Sequence, residues 1–147
     1  MTAAPAAPPP PELARRLAYA GLLPFVVGAL LVWIVRPDAH PYATLALASY
    51  AALIVGFLGA VHWGIAAREP VPPPRLLAWA VLPSLVAWLA VMMPASAGLV
   101  IDGVMLAVCY AVDRRVYPRH GLAGWLTLRF RLSALAALCC FIGAAGT

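Results

Sequence analysis

The sequence has no lysine. All ten of its basic residues are arginines, set against five acidic residues and three histidines, and charged residues make up only 10% of the 147. A soluble domain carries about 25% charged residues, so this chain cannot surround a core with a charged, water-facing shell. No basic run interleaved with aromatics is present, which argues against nucleic acid as a partner. The three cysteines, Cys109, Cys139 and Cys140, have neither C-x-x-C spacing nor a histidine at zinc-finger distance. No zinc site and no disulfide framework are therefore expected. A Gly-rich phosphate loop, an H-E-x-x-H helix and a nucleophile elbow are all missing. So is a channel-type ring of charge or filter sequence. The expectation is a protein that is not an enzyme and carries no cofactor and no metal.

What the sequence has instead is apolar length. Hydrophobic residues make up 65% of the chain and the mean hydropathy is +0.94. Five long apolar runs stand out, at about 17–35, 42–67, 76–93, 97–112 and 122–145. Each is near the roughly 20 residues that a spanning helix needs. Lipid admits only helices or closed barrels, because every backbone group must be satisfied within the protein. Unbroken apolar runs without alternation point to helices. The expected fold is all-α: a polytopic integral membrane protein with a bundle of five transmembrane helices. Residues 15–147 would form that single domain. The proline- and alanine-rich residues 1–14 would be a disordered tail rather than a signal peptide, because the run behind them is long enough to span.

The arginines give an orientation. Nine of the ten, all but Arg36, fall at the N-terminus, in the second link, or around the fourth link and the start of the fifth run. The positive-inside rule then places the N-terminus in the cytoplasm and the C-terminus outside. The absence of lysine and the alanine content suggest a GC-rich bacterial source, hence a bacterial inner membrane.

Ionisable residues within spans usually face a bundle interior or a cavity. His62, in GAVHWGIA, lies about six residues before Arg68. It reads as a histidine bonded to a neighbouring helix, as a polar anchor in a lipid or small-molecule cavity, or as a haem or metal ligand, in that order. Trp63 beside it fits an interfacial aromatic belt. Ser49, Gly56, Gly59, Ala60 and Gly64 share one broad helical face of small residues, which suits close helix packing or a homodimer contact. Asp102 is expected at the outer interface, with a proton-relay role as the alternative. Asp113 ends the fourth run. Arg129 and Arg131 sit one to two turns into the fifth, about 200° apart around a helix. One is expected to reach lipid headgroups and the other to turn inward and pair with Asp113 or Glu69. A further reading is an anion pocket for lipid headgroups, lined by Arg114, Arg129 or Arg131 with His62 above it.

Four blocks carry a resemblance: AGLLPF in the first run, GFLGAVHWG in the second, VLPSLVAW in the third, and DRR followed by LRFRL around the last link. In these the chain resembles the uncharacterised membrane family called domain of unknown function 3429, also described as transmembrane protein 69-like. The resemblance spans about residues 17–140, and the His62-Trp63-Gly64 block is its most distinctive part. It implies a small multispanning protein of bacterial inner membranes with mitochondrial kin, and no transferable activity. The leading expectation is an accessory or assembly subunit of a larger, energy-transducing membrane complex, with other subunits or a second copy as partners. The alternative is a lipid, quinone or porphyrin binder with a pocket near His62 and the arginines. A proton-coupled transporter using Asp102 and His62 ranks third.

Overall fold

The computed structural model describes residues 7–147. Among them are six α-helices and no strand: α1 (Glu12–Ala20), α2 (Leu23–Ile34), α3 (His40–Ala66), α4 (Pro74–Met92), α5 (Ala95–Val116) and α6 (Leu126–Ala145). Two short 3₁₀ turns, Tyr117–His120 and Ala123–Trp125, join α5 to α6. They make five segments long and apolar enough to cross a membrane: Glu12–Ile34, His40–Ala66, Pro74–Met92, Ala95–His120 and Ala123–Ala145. The shortest has 19 residues. At 1.5 Å per residue that is about 28 Å, close to the hydrocarbon thickness of a bilayer.

Prolines punctuate the chain where they cost least. Pro24, Pro41 and Pro74 lie in the first turns of α2, α3 and α4, and Pro94 precedes α5. A missing N–H at a helix start is no loss, since that donor has no intrahelical partner. Pro24 nevertheless splits the first span. Its ring crowds the carbonyl four residues back, that of Ala20, and it offers no N–H to it; α1 ends at Ala20 and the chain turns at Gly21–Leu22 before α2 begins. The Tyr50 hydroxyl of α3 donates to the Gly21 carbonyl at 2.8 Å and satisfies the exposed backbone there. Pro83 lies inside α4 without ending it.

Helical structure begins before residue 15. Residues 1–6 lie outside the described residues, residues 7–11 have no regular structure, and α1 begins at Glu12. Glu12 sits in the first turn, where an acid complements the helix dipole, and it pairs with Arg16 one turn on. The fourth span also runs past its expected end. Arg114 and Arg115 occupy the last turn of α5, where cations suit the dipole, so these charges extend the helix instead of stopping it.

Helix α3 is the centre: it packs against α2, α4, α5 and α6. Leu47, Ala51 and Val55 of α3 meet Phe25 of α2, Leu99 and Leu106 of α5 and Cys140 of α6 in one core. Large apolar side chains also cover the outside; Leu53 is 71% exposed and Phe57, Trp88 and Phe130 are exposed as well. That is the surface of a protein whose solvent is lipid. At the end opposite the arginine-rich links, His40 bonds the Gly146 carbonyl at 2.9 Å and Trp33 donates to the Ile142 carbonyl at 3.1 Å. Both contacts tie the starts and ends of spans that are far apart in sequence.

The small face of α3 is narrower than expected. Gly59 is buried against α4, where a Cβ would stand 2.9 Å from the Ala80 carbonyl oxygen and 3.1 Å from Pro83 Cγ. Only glycine lets the proline ring seat here. Ser49 and Gly56 are half-buried, but Ala60 and Gly64 are exposed. A Cβ on Gly64 would meet nothing within 4 Å. The reason is angular. The buried line runs through Val55, Gly59, His62 and Ala66, while Gly56, Ala60 and Gly64 repeat every four residues and drift off it.

Candidate functional site

Three ionisable side chains meet inside the arginine-rich half of the bundle. His62 projects from the buried line of α3 and is 1% exposed. Asp113 projects from the last turns of α5, on the same face as Leu106 and Cys109, and Arg129 from the first turn of α6. The Arg129 Nε and Nη2 both donate to Asp113 Oδ2, at 2.8 and 2.6 Å. This is a charge-assisted pair in a dry interior, and it clamps α5 to α6 behind their 3₁₀ link. On the other side of the carboxylate, His62 Nε2 stands 3.4 Å from Asp113 Oδ1. It makes no hydrogen bond there, while Nδ1 lies 3.2 Å from the Leu58 carbonyl. A neutral imidazole has one N–H for two facing acceptors. With that proton on Nδ1, donating to Leu58, Nε2 is left with a free lone pair.

Aromatics close the cluster. The Tyr117 ring is tilted against His62 at 6.3 Å and Trp79 of α4 meets it edge-on at 6.4 Å. Four spans therefore contribute to the surroundings of one imidazole. Just outside, on the link surface, His120 bonds Glu69 at 3.0 Å and joins the α3–α4 link to the α5–α6 link.

Beside the cluster lies a cavity of about 590 Å³ between α1, α2, α3, α5 and α6. Its walls are almost wholly apolar, with Phe25, Phe57, Tyr117 and Trp125 as aromatic elements. Among the described residues Arg129 is the one charged side chain lining it, and Ser133 lies one turn further along α6. Ser133 is 4% exposed and its hydroxyl has no partner. Leu17 and Phe57, both exposed, also line the cavity, so it borders the lipid-facing surface.

The remaining candidates fall elsewhere. Trp63 is half exposed on the outside of α3, as suits an aromatic at the membrane boundary. Arg114 and Arg131 are exposed, and neither lines this cavity. Arg131 instead borders a smaller groove with Arg15 and Tyr19 of α1. Of Arg114, Arg129 and Arg131, only Arg129 borders this cavity. Only Arg129 turns inward, because the two α6 arginines point to opposite sides and Asp113 stands on one of them. Asp102 is not at an interface either. It is 1% exposed, seven residues into α5, with Oδ1 unpartnered. It shares the inner face of α5 with Asp113 but stands eleven residues, about 16 Å, away. Leu106 and Cys109 lie between them, so Asp102 does not join the His62 cluster. All three cysteines are free and buried, as small apolar packing residues are. No group of three or more metal-ligating side chains occurs among the described residues.

Sequence reasoning missed Ser133, Tyr117 and Trp79. The i, i+4 spacing of Arg129 and Ser133 was the one available signal, since it puts both on one face of α6.

The family model described as "Protein of unknown function (DUF3429)" matches residues 10–145. Transmembrane protein 69 of Xenopus tropicalis is 38% identical over 117 residues, which cover 75% of this chain and 45% of that protein. The chain thus spans about half the length of the curated relative it matches. No solved structure matches. With the match running from the start of α1 to the end of α6, the chain belongs to the DUF3429 family, a membrane family of unknown function that includes proteins similar to transmembrane protein 69.

Proposed function

We propose that this protein binds one lipophilic molecule in the cavity between α1, α2, α3, α5 and α6, with Arg129 and Ser133 as its polar anchors, and that it acts by binding rather than by catalysis. The observation that carries this reading is that Ser133, whose buried hydroxyl has no partner, and the inward-facing Arg129 both line an otherwise apolar space. A volume of about 590 Å³ falls within the roughly 300–1,000 Å³ of small-molecule sites, which combine apolar walls with a few fixed polar groups. Exposed rim residues on the lipid side give a long tail a way out into the bilayer.

The test is native mass spectrometry of the protein gently extracted from its own membrane, beside an Ala18→Phe variant. Ala18 lines the cavity from α1, which buries none of its residues, so a phenylalanine there fills space without disturbing the core. One defined adduct on the unaltered protein, absent from the variant, is the expected result. A bare protein of the same mass in both samples would sink the proposal.

A second reading, an accessory subunit of a larger membrane complex, has one observation in its favour. The exposed pair Ala60 and Gly64 on α3, one turn apart, offers the kind of small-residue surface against which another transmembrane helix packs closely. In the same measurement it predicts a stoichiometric partner mass, lost in Gly64→Leu.

A further inference from the structure

We infer that the head of the bound molecule is an uncharged ring carrying a carbonyl, of the quinone type, rather than a lipid phosphate or a carboxylate. This rests on the reading that the cavity holds a lipophilic ligand. The argument starts from charge. Arg129 is the one charged side chain in the wall among the described residues, and both its Nε and Nη2 are committed to Asp113 Oδ2 at 2.8 and 2.6 Å. The pair sums to zero. An anionic head placed here would have no counter-charge left, and burying an unpaired anion is far costlier than burying a hydrogen-bonded neutral group.

The wall is still rich in donors. A guanidinium has five N–H groups; two are used by Asp113 and the Tyr117 phenol stands against the same guanidinium. Ser133, 4% exposed and with its buried hydroxyl unpartnered, lies one turn along the same face of α6. Tyr117 brings a phenol to the same wall. Asp113 does not line the cavity. What these groups lack is an uncharged acceptor, which a carbonyl oxygen supplies.

The apolar lining narrows the class further. Phe25, Phe57, Tyr117 and Trp125 border the space. Such rings favour offset or edge contacts with a flat conjugated partner. A conjugated ring carbonyl meets both demands at once, whereas an ester-headed lipid meets only the first.

The experiment uses the full chain in a lipid-free detergent. Four probes are added singly: decylbenzoquinone, dioleoylglycerol, oleate and phosphatidylglycerol. Stoichiometry is read by native mass spectrometry and affinity by quenching of the Trp125 emission, with Trp125→Phe as the optical control. The expected result is one quinone per protein, saturable quenching that Trp125→Phe largely removes, and weaker binding of the other three. Ser133→Ala, which removes a hydroxyl bonded to nothing in the protein, should keep the melting temperature and weaken the quinone by about tenfold, as the loss of one hydrogen bond implies. Tighter binding of oleate, phosphatidylglycerol or dioleoylglycerol would overturn the head assignment and leave the cavity reading standing. So would quinone binding indifferent to Ser133→Ala. If none of the four binds, both readings fall together.

Discussion

Removing one partner of the Asp113–Arg129 pair leaves a bare charge in the interior of the bundle. The pair is nearly dry, with side chains 2% and 10% exposed. Arg129→Leu is therefore expected to destabilise the protein by about 3–5 kcal/mol, the usual cost of orphaning a buried charge. The double change Asp113→Leu with Arg129→Leu should recover most of that, since two apolar side chains replace two costly ions. Unfolding in mixed micelles, read as a double-mutant cycle, measures the coupling. If the single and double variants lose the same stability, the ion pair does not hold α5 to α6. The spacing in LRFRL is enough to show that Arg129 and Arg131 cannot face the same way, and DRR puts an acid at the end of the preceding span. Spacing does not show which arginine turns inward. That depends on where α6 sits around its own axis, and packing against α3 and α5 sets it. Asp102 escapes the sequence for the same reason: its distance from the end of the run is readable, but the face of α5 it occupies is not.

At the scale of helices, glycine at two positions of α3 should behave in opposite ways. Gly59→Ala adds a methyl 2.9 Å from the Ala80 carbonyl and against the Pro83 ring. Neither is a flexible chain end that can give way, so α3 and α4 must separate. Gly64→Ala adds a methyl into open space and gains helix propensity, a benefit of about 0.5–1 kcal/mol. Melting curves of the two variants should move in opposite directions, and a shared direction would contradict the packing described for α3. The pattern GFLGAVHWG shows a helix rich in small residues but not which of them touch a neighbour, because Pro83 lies twenty-four residues beyond Gly59 in the chain. A second element-level expectation concerns the broken first span. Tyr50→Phe removes the bond to the Gly21 carbonyl, at a cost of about 1 kcal/mol. Hydrogen exchange should then quicken at Leu22–Val26 and stay unchanged in α6. Equal exchange in both proteins would mean that the break between α1 and α2 is held by something else.

At the scale of the molecule, the five crossings are legible because hydropathy is a one-dimensional property and lipid leaves the backbone few choices. The cavity is not legible. Its walls come from residues as distant as Ala14 and Ala136, and no local pattern joins them. Orientation lies between the two. Five crossings put the chain ends on opposite sides, and nine of ten arginines belong to one of them. The positive-inside rule then predicts that the link carrying Arg68 and Arg75 faces the cytoplasm and that carrying Arg36 and Asp38 faces outward. The chain offers a clean way to check it. Cys109, Cys139 and Cys140 are all buried, so they should stay silent toward a membrane-impermeant maleimide. A cysteine introduced in place of Asp38 or Arg68, both exposed, then reports its side alone. In right-side-out vesicles from a bacterial host, Asp38→Cys should label at once and Arg68→Cys only after permeabilisation. The reverse pattern would invert the topology and put the cavity and its ion pair in the outer leaflet, where a ligand would have to enter from the other side. Labelling of both without permeabilisation would mean that the segment between them, α3, does not cross the membrane.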